Sequence, residues 1–231
     1  MTPLQSPLPK KIKVIACATV IEEMLPLMPE NLDYEILDFG LHLVPQNLKG
    51  ALQEAIDKSC HDFDTIILGY GLCSMAVVGL QARDCTLVVP KVDDCIAIFL
   101  GSDQVYSEQA RKEPGTYYLT KGWIEVSDTL LDERQRIVEK YGEEKTEFIM
   151  GEMLKHYKRL VYIDTGTDNQ ENYRSYARKA ADQLNLRFEE IRGSKELVQK
   201  MLTGPWDSEF VVTSPGNTIT YLDFKATNGS E

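Results

Sequence analysis

The chain has 231 residues, 43% of them apolar, and a formal net charge of -11, which is material for one large or two small domains with a proper core. Its acidic balance argues against nucleic acid, because binding a phosphate backbone needs clustered Lys and Arg. The sequence has neither an apolar run of membrane-spanning length nor the apolar region of a signal peptide, so a cytoplasmic protein with no membrane contact is expected.

Residues 1–10 read as a Pro-rich arm. Ile12 to Ala16 is a short β-type run, followed by a helix from Ile21 to Leu27 that Pro26 and Pro29 keep short. Tyr34 to Phe39 reads as a second strand. Leu48, Leu52, Ala55 and Ile56 then mark one face of an amphipathic helix ending at Cys60. Asp64 to Gly69 is a strand apolar on both faces, Met75 to Leu80 a short helix, and Thr86 to Pro90 another buried strand. Buried strands alternating with helices predict a parallel α/β sheet. The segment 116–158 mixes a strand-like GTYYLTKGWIE with helical charge patterning and is expected to be mainly helical. Strands at Leu160 to Asp164, Arg187 to Ile191 and Glu209 to Thr213 follow, with helices at Glu171 to Leu184 and Lys195 to Leu202. The expected fold class is α/β, with two Rossmann-like lobes of mostly parallel sheet. A Cys-containing lobe would occupy 11–115 and a second lobe 159–231, joined by the helical connector and enclosing a cleft.

All five cysteines lie in the first 95 residues, and their odd number without an export signal predicts reduced thiols and no disulfide framework. Cys60 and Cys85 read as small apolar side chains. Cys17, Cys73 and Cys95 each follow a predicted strand, and ligands of open α/β sheets bind beyond the carboxyl ends of strands. Three thiolates on one edge are the donor set of an iron-sulfur cluster with an open position, or of zinc. His42 in FGLHLVP is a candidate fourth ligand, and Asp94 a candidate for orienting ligands or contacting substrate. Alternatively, Cys73 at the start of the predicted helix would be a nucleophile whose thiol the helix dipole acidifies. Gly69 and Gly71 are expected to let backbone approach a bound group. DTGTDNQENY starts a helix capped by Asp168 or Asn169, which makes Thr165, Gly166 and Asn169 candidates for substrate binding. SPGNT, 214–218, is expected on the same sheet edge as the thiols, and Trp123 and Glu125 of KGWIE read as packing and surface residues, although an aromatic beside a cleft could cover a flat ligand.

The segments IACATV, FGLHLVP, LGYGLCS, PKVDDCIAIFLGS, GTYYLTKGW, YIDTGTDNQENY and PGNT together resemble a bacterial and archaeal family, the domain of unknown function numbered 1638. The resemblance runs from about Lys11 to Thr218 and takes in Cys17, Cys73, Cys95, His42 and Asp94. It implies association with corrinoid-dependent methyl transfer in anaerobes, so a corrinoid ligand or a corrinoid methyltransferase joins a small molecule among the expected partners. The leading expectation is thus a metal-centre protein of one-carbon metabolism, preferably holding a 4Fe-4S cluster. A zinc-thiolate methyltransferase or accessory protein, and a non-catalytic module for a small anion, are the alternatives.

Overall fold

The computed structural model describes residues 11–73, 75–166 and 169–225. The N-terminal arm, Ser74 and Asp168 lie outside the described residues. In chain order, the first half runs β1 (Ile12–Cys17), α1 (Ala18–Met24), β2 (Asp33–Leu37), α2 (Pro45–Ser59), β3 (Thr65–Gly69), β4 (Thr86–Pro90), α3 (Cys95–Leu100) and α4 (Asp103–Lys112). Single 3-10 turns at Leu25–Leu27 and Phe39–Leu43 interrupt it. The second half runs β5 (Thr116–Leu119), α5 (Lys121–Val126), α6 (Leu130–Tyr141), α7 (Glu143–Leu154), β6 (Arg159–Asp164), α8 (Gln170–Gln183), β7 (Arg187–Arg192), α9 (Glu196–Thr203), β8 (Phe210–Thr213) and α10 (Tyr221–Lys225).

The strands form a five-stranded sheet in the order β2-β1-β3-β4-β8 and a three-stranded sheet in the order β5-β6-β7. Every pair is parallel except β4 with β8. The fold is therefore α/β and Rossmann-like, with parallel-dominated sheets. All five residues of β3 are buried, which is why TIILG is a continuous apolar run and not an alternating one.

Two placements differ from the sequence pattern. Thr116–Leu119, inside the expected helical connector, is a strand at the edge of the second sheet, paired with β6 from Thr116↔Arg159 to Leu119↔Tyr162. Phe210–Thr213 returns to the first sheet instead of extending the second. It pairs antiparallel with β4, from Leu87↔Thr213 to Pro90↔Phe210. That reversal carries the 214–218 turn to the amino end of β4, where Gly216 N–H donates to Ala82 O. It is thus on the edge opposite the thiols.

There are two cores. The first gathers Val14, Ile15, Ile66, Ile67, Leu87 and Val88 and is joined by Val161 and Ile163 from one face of β6, and the second gathers Leu119, Leu160, Tyr162, Ala177 and Ala181. Trp123 packs against both. The seam between them is the crossing of α1 and α5, and Gly122 makes it possible. A Cβ there would lie 2.5 Å from Thr19 O and 3.2 Å from Glu22 Cβ, distances at which only a glycine fits.

Candidate functional site

Cys17 ends β1, Cys73 lies in the loop after β3, and Cys95 opens α3 after β4. These three strands are adjacent and parallel, so their carboxyl ends share an edge. All three residues are free cysteines. Cys17 and Cys95 are buried. Burial pushes each thiol up, Cys73 to about 12, and the charge a Cys17 thiolate would carry raises Cys73 and Cys95 further. The Cys17 sulfur lies 3.0 Å from Thr19 Oγ1. Tyr70 sits among them, only 1% exposed, and its hydroxyl has no hydrogen-bond partner among the described residues.

This neighbourhood corrects the expected metal centre. Among the described residues, no three or more His, Cys, Asp or Glu side chains are grouped so that they could hold a metal ion. Neither the iron-sulfur cluster nor the zinc site on Cys17, Cys73, Cys95 and His42 therefore fits this arrangement. The side chains there are engaged with other partners, the Cys17 sulfur with Thr19 Oγ1. The His42 ring is otherwise occupied. Its Nδ1 lies 3.0 Å from Phe39 O, and the ring stacks on Phe39 at 5.2 Å and on Tyr70 at 5.8 Å. Burial lowers its pKa, so it sits there as a neutral aromatic.

Two further expectations about cysteine are corrected. Cys60 and Cys85 are joined in a disulfide, which ties the end of α2 to the start of β4 in place of two reduced thiols. Met75 to Leu80 forms turns and not a helix, so no helix dipole acidifies Cys73. Its backbone instead adopts a left-handed φ of 43°.

The glycines of LGYGLCS are accounted for by the protein itself. A Cβ on Gly69 would lie 2.5 Å from Ala16 Cβ, and one on Gly71 would lie 2.6 Å from Val92 O and 2.8 Å from Asp94 N. Gly71 lets its loop run against residues 92–94, where Leu72 N–H donates to Val92 O and Cys73 N–H to Asp93 O. Asp94 is the N-cap of α3. Its Oδ1 accepts from Ile96 N at 2.8 Å and its Oδ2 from the Tyr106 hydroxyl at 3.0 Å. Burial, with a smaller push from Asp93, holds its carboxyl above the usual carboxylate range despite those donors.

Thr165, Gly166 and Asn169 follow β6 at the carboxyl edge of the second sheet. Thr165 is buried, and its hydroxyl donates to Glu23 Oε2 at 2.5 Å. Gly166, at φ 73°, donates its N–H to Asp164 Oδ1 at 2.9 Å. Asn169 is the N-cap of α8 in a left-handed conformation. Beyond β6 and β7 opens a cleft of about 870 Å³ lined by Asp164, Thr165, Gly166, Arg192, Ser194 and Lys195 among others. A neighbouring hollow of about 420 Å³ shares Gly166 and Lys195 and adds Asn169, Lys121 and Tyr173. Arg174 balances two of the acids that line the main cleft, standing 2.7 Å from Glu190 and 3.7 Å from Asp164. Lys195 Nζ donates to Gly166 O at 3.0 Å. Among the described residues, neither Lys195 nor Arg192 has a carboxylate at ion-pair distance.

Sequence patterns pointed to Thr165 and Gly166 but passed over Arg192, Ser194, Lys195 and Glu23. The only local signal for Glu23 is a charge inside the apolar stretch TVIEEMLPL. Arg192 to Lys195 join β7 to α9, a second strand-to-helix loop on the same edge.

No curated protein and no solved structure matches the chain significantly. A family profile does match, over residues 36–202. That span includes Cys73, Cys95 and the β6 and β7 cleft, and leaves out β1 with Cys17, and β8. With most of its length matched, the chain belongs to the protein family of unknown function DUF1638.

Proposed function

We propose that this protein binds a small polar molecule in the cleft at the carboxyl edge of its second sheet. The observation that carries the reading is the cleft of about 870 Å³ beyond β6 and β7. Its place is the one where open parallel sheets take ligands, outside the carboxyl ends of adjacent strands. Its volume falls in the range of small-molecule sites. Hydroxyl, backbone and charged groups converge there, with Lys195 and Arg192 held apart from the Arg174-balanced acids. A ligand rich in hydrogen-bonding groups suits such a lining better than an apolar one.

The test is a thermal-shift and ligand-observed NMR screen of polar metabolites on the full chain, repeated with Lys195→Ala and Arg192→Ala. Hits should weaken about tenfold in either variant, the loss of a charge-assisted hydrogen bond. They should be unchanged in Phe148→Ala, at an exposed position on α7. Hits that ignore both cleft variants, or a screen without hits, would overturn the reading.

A further inference from the structure

A second cavity, of about 230 Å³, lies on the seam between the two cores and shares no residue with the cleft beyond β6 and β7. Its wall brings together Tyr106 of α4, Tyr117 and Tyr118 of β5, Trp123 of α5, and the carboxylates of Asp94 and Glu113. Among the described residues, no lysine or arginine is part of that wall. Tyr117 packs on the second core and Tyr118 on the first, so adjacent rings of the one strand β5 reach both cores. The Tyr106 and Tyr118 ring centroids are 6.3 Å apart and the planes tilted by 57°, so they meet at an angle and do not stack flat.

The charges of this cavity are unequally answered. Glu113 is paired with Arg187 at 2.5 Å. The nearby Arg159 guanidinium is bound to Glu189, Thr116 and Gln109. Asp94, in contrast, is met among the described residues by neutral donors, the Tyr106 O–H and the backbone N–H groups of Ile96 and Ala97. Among the described residues it has no cation at ion-pair distance. The Tyr118 hydroxyl stands beside Thr116 and the Arg159 guanidinium without a well-formed hydrogen bond to either. A half-buried carboxylate without a counter-charge, in a half-open cavity that four electron-rich rings help to line, is an environment that favours an organic cation, whose charge ring faces attract.

We propose that this seam cavity is a binding site for a small alkylated ammonium ion, with the Asp94 carboxylate as counter-ion and Tyr106, Tyr117, Tyr118 and Trp123 as the aromatic lining. The volume restricts the ligand to a compact head group with few further atoms. It is below the usual range for drug-sized ligands. Because α4, β5 and α5 come from opposite sides of the seam, occupancy would also brace the two lobes against each other.

Calorimetric titration of the full chain with choline, against its uncharged carbon analogue dimethylbutanol, tests the site. Trp123 fluorescence in a Trp206→Phe background gives a second readout. Choline should bind saturably and the neutral analogue at least about tenfold more weakly, since only the cation gains from the rings and the carboxylate. Asp94→Asn keeps a residue able to cap α3 and should weaken choline about tenfold while leaving the neutral analogue unchanged. Lys195→Ala, in the separate cleft, should leave choline binding intact. Equal binding of the two probes, indifference to Asp94→Asn, or no saturable binding of choline would overturn the proposal.

Discussion

The Thr165 hydroxyl donates to Glu23 Oε2 at 2.5 Å, across 142 residues of sequence and across the seam between the two sheets. The other oxygen, Glu23 Oε1, accepts from Gly122 N–H at 3.1 Å. One carboxylate of α1 thus holds both the start of α5 and the loop after β6. Glu23 is only 5% exposed, and a carboxyl group so buried is tolerated because its oxygens are hydrogen-bonded. The same bond fixes the wall of the proposed binding cleft, since Thr165 lines it.

Removing either partner should therefore cost stability and loosen the cleft together. Thr165→Val keeps the shape but leaves the carboxylate short of a donor. It should lower unfolding stability by about 1–3 kcal/mol. Glu23→Ala removes the acceptor for two donors and opens a gap, so it should cost more, about 3 kcal/mol. Urea denaturation of both single variants and the double variant gives the coupling. Strict additivity would mean that the bond is not the link between the lobes.

Gly71→Ala should destabilise by about 2–3 kcal/mol, because the new Cβ meets the backbone of residues 92–94, which cannot swing aside as a side chain does. Gly166→Ala has room, its nearest neighbour being Lys195 Nζ at 3.7 Å. Its φ of 73° is the whole cost, about 1–2 kcal/mol. If thermal melts rank these two variants the other way, the close pairing of the LGYGLCS loop with residues 92–94 is not what fixes that loop.

Strands such as TIILG and TLVVP were legible in the sequence because burial on both faces leaves a continuous apolar run, and the α2 face because its spacing has helical period. The edge strand TYYL was masked by flanking helical sequence, and its first three residues are only partly buried. The return of FVVT to the first sheet depends on a pairing partner more than a hundred residues earlier, which no local pattern encodes. That Cys17, Cys73 and Cys95 lie at neighbouring strand ends could be inferred because each follows a predicted strand of one parallel sheet. Whether side chains at those ends can jointly hold a metal depends on rotamers and neighbours such as Thr19, Tyr70 and Phe39, which spacing does not reveal. The seam cavity was invisible for the same reason: its rings come from three separate elements.

Cysteine accounting gives a direct chemical check. With Cys60 and Cys85 bridged and the other three free, protein denatured without reductant should take three alkyl groups per chain and take five after reduction. In the native protein, alkylation at neutral pH should be slow at Cys17, Cys73 and Cys95, because burial disfavours the reactive thiolate. Mass spectrometry at each site distinguishes the cases. Fast native labelling of Cys73 would show its thiol to be acidic and accessible, contrary to the structure. Five adducts without reductant would show that the bridge is absent.

Asp94 offers a pH-dependent test that needs no ligand. Burial raises its carboxyl above the ordinary 3.8, with Asp93 adding to the rise and the donors Tyr106 and Ile96 opposing it. A raised folded-state value means that the folded chain prefers the protonated acid. The contribution is thus fully present below the unfolded value and is lost as pH rises through the raised folded one. Asparagine cannot ionise and keeps the cap on α3. The stability of Asp94→Asn relative to wild type should therefore climb as pH increases from about 3 and level off once wild-type Asp94 is ionised. Choline, if it occupies the seam cavity, should favour the ionised carboxylate and shift the wild-type curve toward lower pH, while leaving that of the variant in place. Denaturation midpoints measured across this range in both proteins would decide the matter. A difference that stays flat with pH, or falls, would mean that Asp94 is solvated and carries no unanswered charge.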